Sequence, residues 1–194
     1  MISPEQVLSF WLDELKPADW YNASPELDQR IRDKFEEAWK EATQGAYGLW
    51  LTHPTGTLAY IILTDQFPRN MFRGSALAFS TDRNALAAAK VAIARGWDKK
   101  IDEPARQFFY LPLMHSENLC DQDRCVRLMC SRMGQTGEQN LLHAKVHREI
   151  IRQFGRFPYR NDALSRETTR QEKLFTETGG YAAILDEIRS AQAA

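Results

Sequence analysis

Apolar positions recur at helical spacing from one end of the chain to the other. Val7, Leu8, Trp11 and Leu15 form a first stripe, and Leu27, Ile31, Phe35, Ala38, Trp39 and Ala42 a second. Each stripe follows a serine and a proline. Ser3-Pro4-Glu5 and Ser24-Pro25-Glu26 place a capping hydroxyl ahead of a residue whose missing N–H is no loss in the first helical turn. Gln6, three residues after Ser3, completes a capping box, and Gly45 closes the second helix.

The same signals predict a third helix beyond His53-Pro54, carrying Leu58, Ile61 and Ile62. It is expected to stop before Pro68, since proline disfavours helical geometry in the residue ahead of it. Thr81-Asp82 opens a fourth helix through Leu86, Ala89 and Ile93, closed by Gly96. A fifth runs from Asp102-Glu103-Pro104 through Phe108 and Leu111 to His115, kinked or broken at Pro112. A sixth covers residues 121–133. A seventh covers residues 138–154, with Leu142, Val146, Ile150 and Phe154 on its core face. Thr169 with Glu172 caps an eighth, and residues 181–191 form a ninth, after which Gln192-Ala193-Ala194 is expected to fray. No segment shows sustained period-two alternation, so no sheet is expected. The expectation is an all-α fold of about eight to nine helices, in antiparallel hairpins that build a bundle or short solenoid. It is read as a single domain over residues 1–194, with the tail after about residue 180 as a peripheral helix.

Composition narrows the function classes. An apolar fraction of 43% with 26% charged residues is that of a folded globular protein. Lys plus Arg, at 25, nearly cancels Asp plus Glu, at 26, so no global field favours nucleic acid or an anionic membrane as partner. The longest strongly apolar run, near residues 58–63, is far too short to span a bilayer. Met1-Ile2-Ser3-Pro4-Glu5 lacks the basic-then-apolar pattern of a signal peptide. Cys120, Cys125 and Cys130 are odd in number, and their five-residue spacing spreads them around a helix. They read as three reduced thiols of a cytoplasmic protein, with no metal and no cofactor expected.

Two segments echo each other. Gln66-Phe67-Pro68-Arg69-Asn70 ends the third helix, and Arg156-Phe157-Pro158-Tyr159-Arg160-Asn161 follows the seventh. One account is a reused helix stop, in which Phe packs, Pro breaks, Arg reaches terminal carbonyls and Asn turns. The other is a pair of guanidinium and amide groups facing a common anion, a role suited to arginine's planar fork of donors. Asp65 lies on the apolar stripe of its helix, so its carboxylate is expected to be buried and paired. Arg69 is the local candidate, with Arg73 and Arg160 as others. That pairing is structural or supplies a catalytic acid. His115 shares a face with Phe108 and Leu111 and is either a hydrogen-bonded core residue or a functional imidazole. His143 and His147 have a spacing that can hold a metal on one helix face. The glutamate of a metalloprotease helix is absent and Lys145 opposes a cation, so both read as packing or surface residues. No phosphate-cradling glycine loop and no nucleophile elbow occur.

Three long motifs carry a resemblance. They are Leu63-Thr64-Asp65-Gln66-Phe67-Pro68-Arg69-Asn70-Met71-Phe72-Arg73-Gly74, the run Tyr110-Leu111-Pro112-Leu113-Met114-His115-Ser116-Glu117, and Phe154-Gly155-Arg156-Phe157-Pro158-Tyr159-Arg160-Asn161. With the opening Val7-Leu8-Ser9-Phe10-Trp11, they resemble the signature of domain-of-unknown-function family 924, a mainly bacterial and uncharacterised family. The resemblance covers nearly the whole chain in order, but not the tail after Gly180. It implies an all-helical, tetratricopeptide-like fold. It implies no established activity, so no catalytic residue is carried over.

Two functions fit these residues. The first is a binding module in which Gln66, Arg69, Asn70, Arg73, His115, Arg156, Arg160 and Asn161 line a pocket for a small anion or a peptide terminus. The second is a small hydrolase or transferase acting on an anionic substrate, with Asp65 or His115 as acid–base. The binding module ranks first because no nucleophile is identifiable.

Overall fold

The structure, a computed structural model, describes residues 1–22 and 24–193, and the side chains of residues 1–22 and 24–191. Every element among the described residues is helical. The elements are α1 (Pro4–Leu8), α2 (Pro25–Thr43), α3 (Pro54–Ile61), α4 (Phe67–Met71), α5 (Asp82–Ala94), α6 (Leu111–Met114), α7 (Leu119–Arg132), α8 (Glu138–Phe154), α9 (Arg170–Glu177) and α10 (Gly180–Ala193). The chain divides into two compact units, Met1–Pro112 and Leu113–Ala194. No helix among the described residues is long and apolar enough to cross a membrane.

The first unit is built around α3. From Gly56 to Ile61 every residue is buried, as expected of a helix that is apolar all round. Gly56 is required by close approach: a Cβ there would lie 2.5 Å from the Trp50 carbonyl oxygen and 2.7 Å from the His53 ring. Helices α1 and α5 pack on α3. The α2 face is the one the stripe predicts, with Leu27, Ile31, Phe35, Ala38, Trp39 and Ala42 all buried. An aromatic cluster fills the space between elements. Phe35 and Phe67 have ring centroids 4.6 Å apart, and Trp20 and Phe108 5.0 Å. Each such ring contributes about 1.5–3 kcal/mol by leaving water.

Two departures from the sequence expectations concern helix continuity. The chain does not straighten before Pro68: α3 widens into a π-helical stretch over Ile62–Gln66, and Pro68 stands in the first turn of α4. A proline there forfeits no hydrogen bond, and Phe67 ahead of it keeps helical angles of φ −59° and ψ −41°. A π-helical stretch over Ser9–Glu14 likewise follows α1 and brings Phe10 into the core beside Trp11. The fifth expected helix is instead a 3₁₀ turn, Ala105–Phe109, and the short α6, with Pro112 inside its first turn.

The second unit centres on α8, against which α7 and α10 pack. Val146, Ile150 and Ile151 of α8 meet Phe157 and Ile184, with Phe154, Phe175 and Leu185 closing the edges. Gly155 ends α8 in the left-handed region, at φ +68°. The capping box on α9 is present: Thr169 Oγ1 accepts from the Glu172 amide, and the Thr169 amide donates to the Glu172 carboxylate. The fully buried Gln122 of α7 donates its amide to the Met114 and Ser116 carbonyls, each at 2.7 Å, and so ties α6 to α7. Helix α10 continues through Ala193, and Ala194, the end of the tail expected to fray, lies outside the described residues. The three cysteines form no disulfide among the described residues: Cys120 and Cys130 are exposed and Cys125 is buried, its thiol pushed up to about 12 by burial.

Candidate functional site

The two arginine-asparagine motifs belong to different units. In neither does Phe-Pro stop a helix. Pro68 opens α4, and Pro158 opens a 3₁₀ turn over Pro158–Arg160, so in both motifs the arginine rides on a turn that proline begins.

In the first unit the polar groups are drawn onto internal carboxylates. Asp65 is fully buried, accepts from the Gln66 side-chain amide and lies 3.3 Å from Arg69 Nη1. Arg69 turns its other nitrogen onto Asp82 at 2.9 Å. Asp28 of α2, some forty residues away in sequence, gathers the rest. It accepts from Asn70 Nδ2 at 2.8 Å and from Arg73 Nε and Nη2, each at 3.0 Å. The corner thus sets Arg69 and Arg73 against Asp28, Asp65 and Asp82.

The second unit holds the other predicted residues. Arg156 grips Glu172 through Nε at 2.6 Å and Nη2 at 2.8 Å, and Nη2 also donates to the Glu167 carbonyl. The Arg156 guanidinium and the hydrogen bonds from Thr169 hold the Glu172 carboxyl down at about 2. Asn161 is buried; it donates to Glu172 Oε2 at 3.3 Å and accepts from Arg166 Nε at 3.0 Å. Arg166 in turn makes a parallel pair with Glu117. Burial would raise the Glu117 carboxyl, but Arg166, the Phe157 amide and the charge of Arg160 outweigh it and leave it below the usual carboxylate range.

Arg160 is buried, with its guanidinium 4.5 Å above the Phe157 ring. The His147 ring meets the same Phe157 edge-on at 5.3 Å. Its Nδ1 lies 2.9 Å from the His143 carbonyl oxygen. A carbonyl can only accept, so Nδ1 carries the proton and the Nε2 lone pair points away from that bond. Burial pushes the His147 imidazole down to about 3, and the neighbouring charges of His115, Arg160 and His143 act in the same direction, against the His143 carbonyl. His143 and Tyr181 hydroxyl stand 2.5 Å apart, joining α8 to α10. His115, half-buried after α6, is near enough for its charge to act on His147.

The match with known proteins follows this geometry. The family model described as "Bacterial protein of unknown function (DUF924)" covers residues 7–180. The chain belongs to this family. A solved protein of unknown function from Agrobacterium tumefaciens is 38% identical, over 91% of this chain and 97% of that one, with a TM-score of 0.84. No curated protein matches. The family model ends where α10 begins, so Tyr181 and Ile184 stand outside the matched stretch. No group of three or more His, Cys, Asp or Glu residues able to hold a metal occurs among the described residues.

Sequence reasoning passed over Arg166 and Tyr181, and it read His147 as a packing or surface residue. The helical spacing of His143 and His147 was visible. What no local pattern carries is the placement of Phe157, which gathers an arginine and a histidine from separate elements onto one ring.

Proposed function

We propose that this protein is a binding module for a small anion, held in the second unit at Arg160, His115 and His147. One observation carries the reading. The buried guanidinium of Arg160 and the ring of His147 meet on the Phe157 ring, with Arg156 and Arg166 on the carboxylates beside it. Burial strengthens Arg160's attraction for an anion, since solvent screens it less. The hairpin of α7 and α8 also suits the class, because packed helical pairs, as in tetratricopeptide-like proteins, commonly serve as binding scaffolds. The reading makes no use of Asp65, which is fully buried and held by Gln66 and Arg69.

The test is titration of the full-length protein with sulfate and with acetate, following the histidine ring resonances by NMR. Saturable shifts of His115 and His147 are expected with a dissociation constant of about 1 mM or tighter. Arg160→Gln should abolish them, and Arg73→Gln, at an exposed arginine of the first unit, should leave them unchanged. Shifts that do not saturate, or that survive Arg160→Gln in a folded protein, would remove the basis for the proposal.

A further inference from the structure

A separate groove in the first unit has the make-up of a small-molecule site. It is an open cavity of about 410 Å³ between α3 and α5. That volume lies within the range of about 300–1,000 Å³ usual for ligand pockets. Its walls are mostly apolar: Leu51, Tyr60 from α3, Ala87, Ala88 and Val91 from α5, and Trp97 from the 3₁₀ turn Trp97–Lys100. Arg95 braces Trp97, its guanidinium 4.8 Å from the indole ring. At the mouth stand Arg83 and Asn84, consecutive residues on the first turns of α5. No carboxylate lines the groove.

Two polar groups here have work left to do. Arg83 is exposed and makes no ion pair or hydrogen bond among the described residues, in contrast to Arg69 and Arg73 of the same unit. Tyr60 is only 6% exposed, yet its hydroxyl has no partner among the described residues. The residue lines the groove. A buried tyrosine normally finds a hydrogen-bond partner. Here the partner it fits is a ligand atom.

We infer that this groove binds a flat aromatic carboxylate. The ring would lie along the alanines between Tyr60 and Trp97, where offset stacking and apolar burial favour a thin, planar group over a bulky one. The carboxylate would sit at Arg83, whose paired N–H donors match its two oxygens. The Tyr60 hydroxyl would donate to a carboxylate oxygen or to a ring substituent. The site is independent of the one proposed in the second unit, since every lining residue belongs to the first.

The experiment is isothermal titration calorimetry of the full-length protein with 2-naphthoate, and with 2-naphthamide as its uncharged counterpart. Saturable binding of naphthoate is expected, with the amide at least fivefold weaker. Arg83→Gln should lower naphthoate affinity about tenfold and erase the preference over the amide. Tyr60→Phe should lower it severalfold. Ala87→Phe, at an exposed position, should fill the groove and stop binding while the melting curve by circular dichroism stays that of the wild type. Arg160→Gln in the other unit should change nothing. The inference fails on any of three results: no saturable heat with naphthoate at millimolar concentration, equal affinity for acid and amide, or naphthoate binding that survives both Arg83→Gln and Ala87→Phe. Loss of binding in Arg160→Gln alone would also overturn it, by placing the probe at the other site.

Discussion

Glu117 and Arg166 stand 49 residues apart in the chain and meet in parallel, Arg166 Nη1 donating to Oε2 at 2.8 Å and Nη2 to Oε1 at 3.1 Å. The same carboxylate takes the Phe157 amide at 2.8 Å, and the same guanidinium donates to the Phe157 carbonyl at 3.0 Å. The pair therefore clamps both backbone polar groups of the residue whose ring carries Arg160 and His147.

That geometry predicts that arginine is not replaceable by lysine here. Lysine keeps the charge but cannot present two parallel donors and reach the carbonyl as well. Arg166→Lys should cost about 1–3 kcal/mol in urea unfolding, and Glu117→Gln a similar amount. The double variant should cost clearly less than the sum, because the two side chains act on one another. A strictly additive double variant would mean that the parallel pair contributes nothing.

Asp65 should be costly to leave unpaired. Its carboxylate is fully buried, and Arg69→Met would take away the guanidinium 3.3 Å from it. Leaving a buried charge short of its partner costs about 3–5 kcal/mol. A melting temperature within a degree or two of the wild type would show that the network relaxes more easily than its burial implies.

Acid should weaken the fold in two successive windows. His147 is held down to about 3 by burial, against an ordinary value of 6.5. The unfolded chain therefore takes up a proton that the folded one refuses, and stability is lost as pH falls from about 6.5 towards 3. His143, lowered by burial and by Arg189, acts in the same sense. Urea midpoints at about pH 7.5 and about pH 5.5 should differ in the wild type, and by less in His147→Asn, which retains a donor for the His143 carbonyl.

Glu172 governs the second window. Its folded carboxyl is held at about 2, so its contribution is complete above the unfolded value near 4.5 and is lost as pH falls from there towards 2. Glu172→Gln should be less stable than the wild type at neutral pH, and the two should converge in strong acid. Parallel curves down to the lowest pH would show that Arg156 does not hold the carboxylate in solution.

Anion binding in the second unit should be coupled to protons. The neutral His147 offers a lone pair at Nε2, which opposes an anion until it is protonated, so a bound anion raises the pKa of this ring. Sulfate affinity should increase as pH falls towards the free ring's value of about 3, with proton uptake visible as a dependence of the calorimetric enthalpy on buffer. A pH-independent affinity would place the anion away from His147.

Much of the helical framework was legible residue by residue. The α2 stripe, the bounds of α8, the capping boxes at Ser3 and Thr169, and the burial of Asp65 beside Arg69 all follow from neighbours within a few positions. The widening of α3 through Gln66 and the break-up of the helix before His115 were not legible. A π turn has no compositional signature, and a proline reads alike whether it ends a helix or begins one.

By itself, the order of residues determined which stretches coil and which face of each turns inward, because those properties depend on spacing along a single helix. Tertiary structure alone decided which arginine meets which carboxylate. Asp28 takes Arg73, Glu172 takes Arg156 and Glu117 takes Arg166, while Phe157 draws Arg160 and His147 together. Electrostatic partners are chosen by distance in space after packing, and a helical period holds no information about that distance.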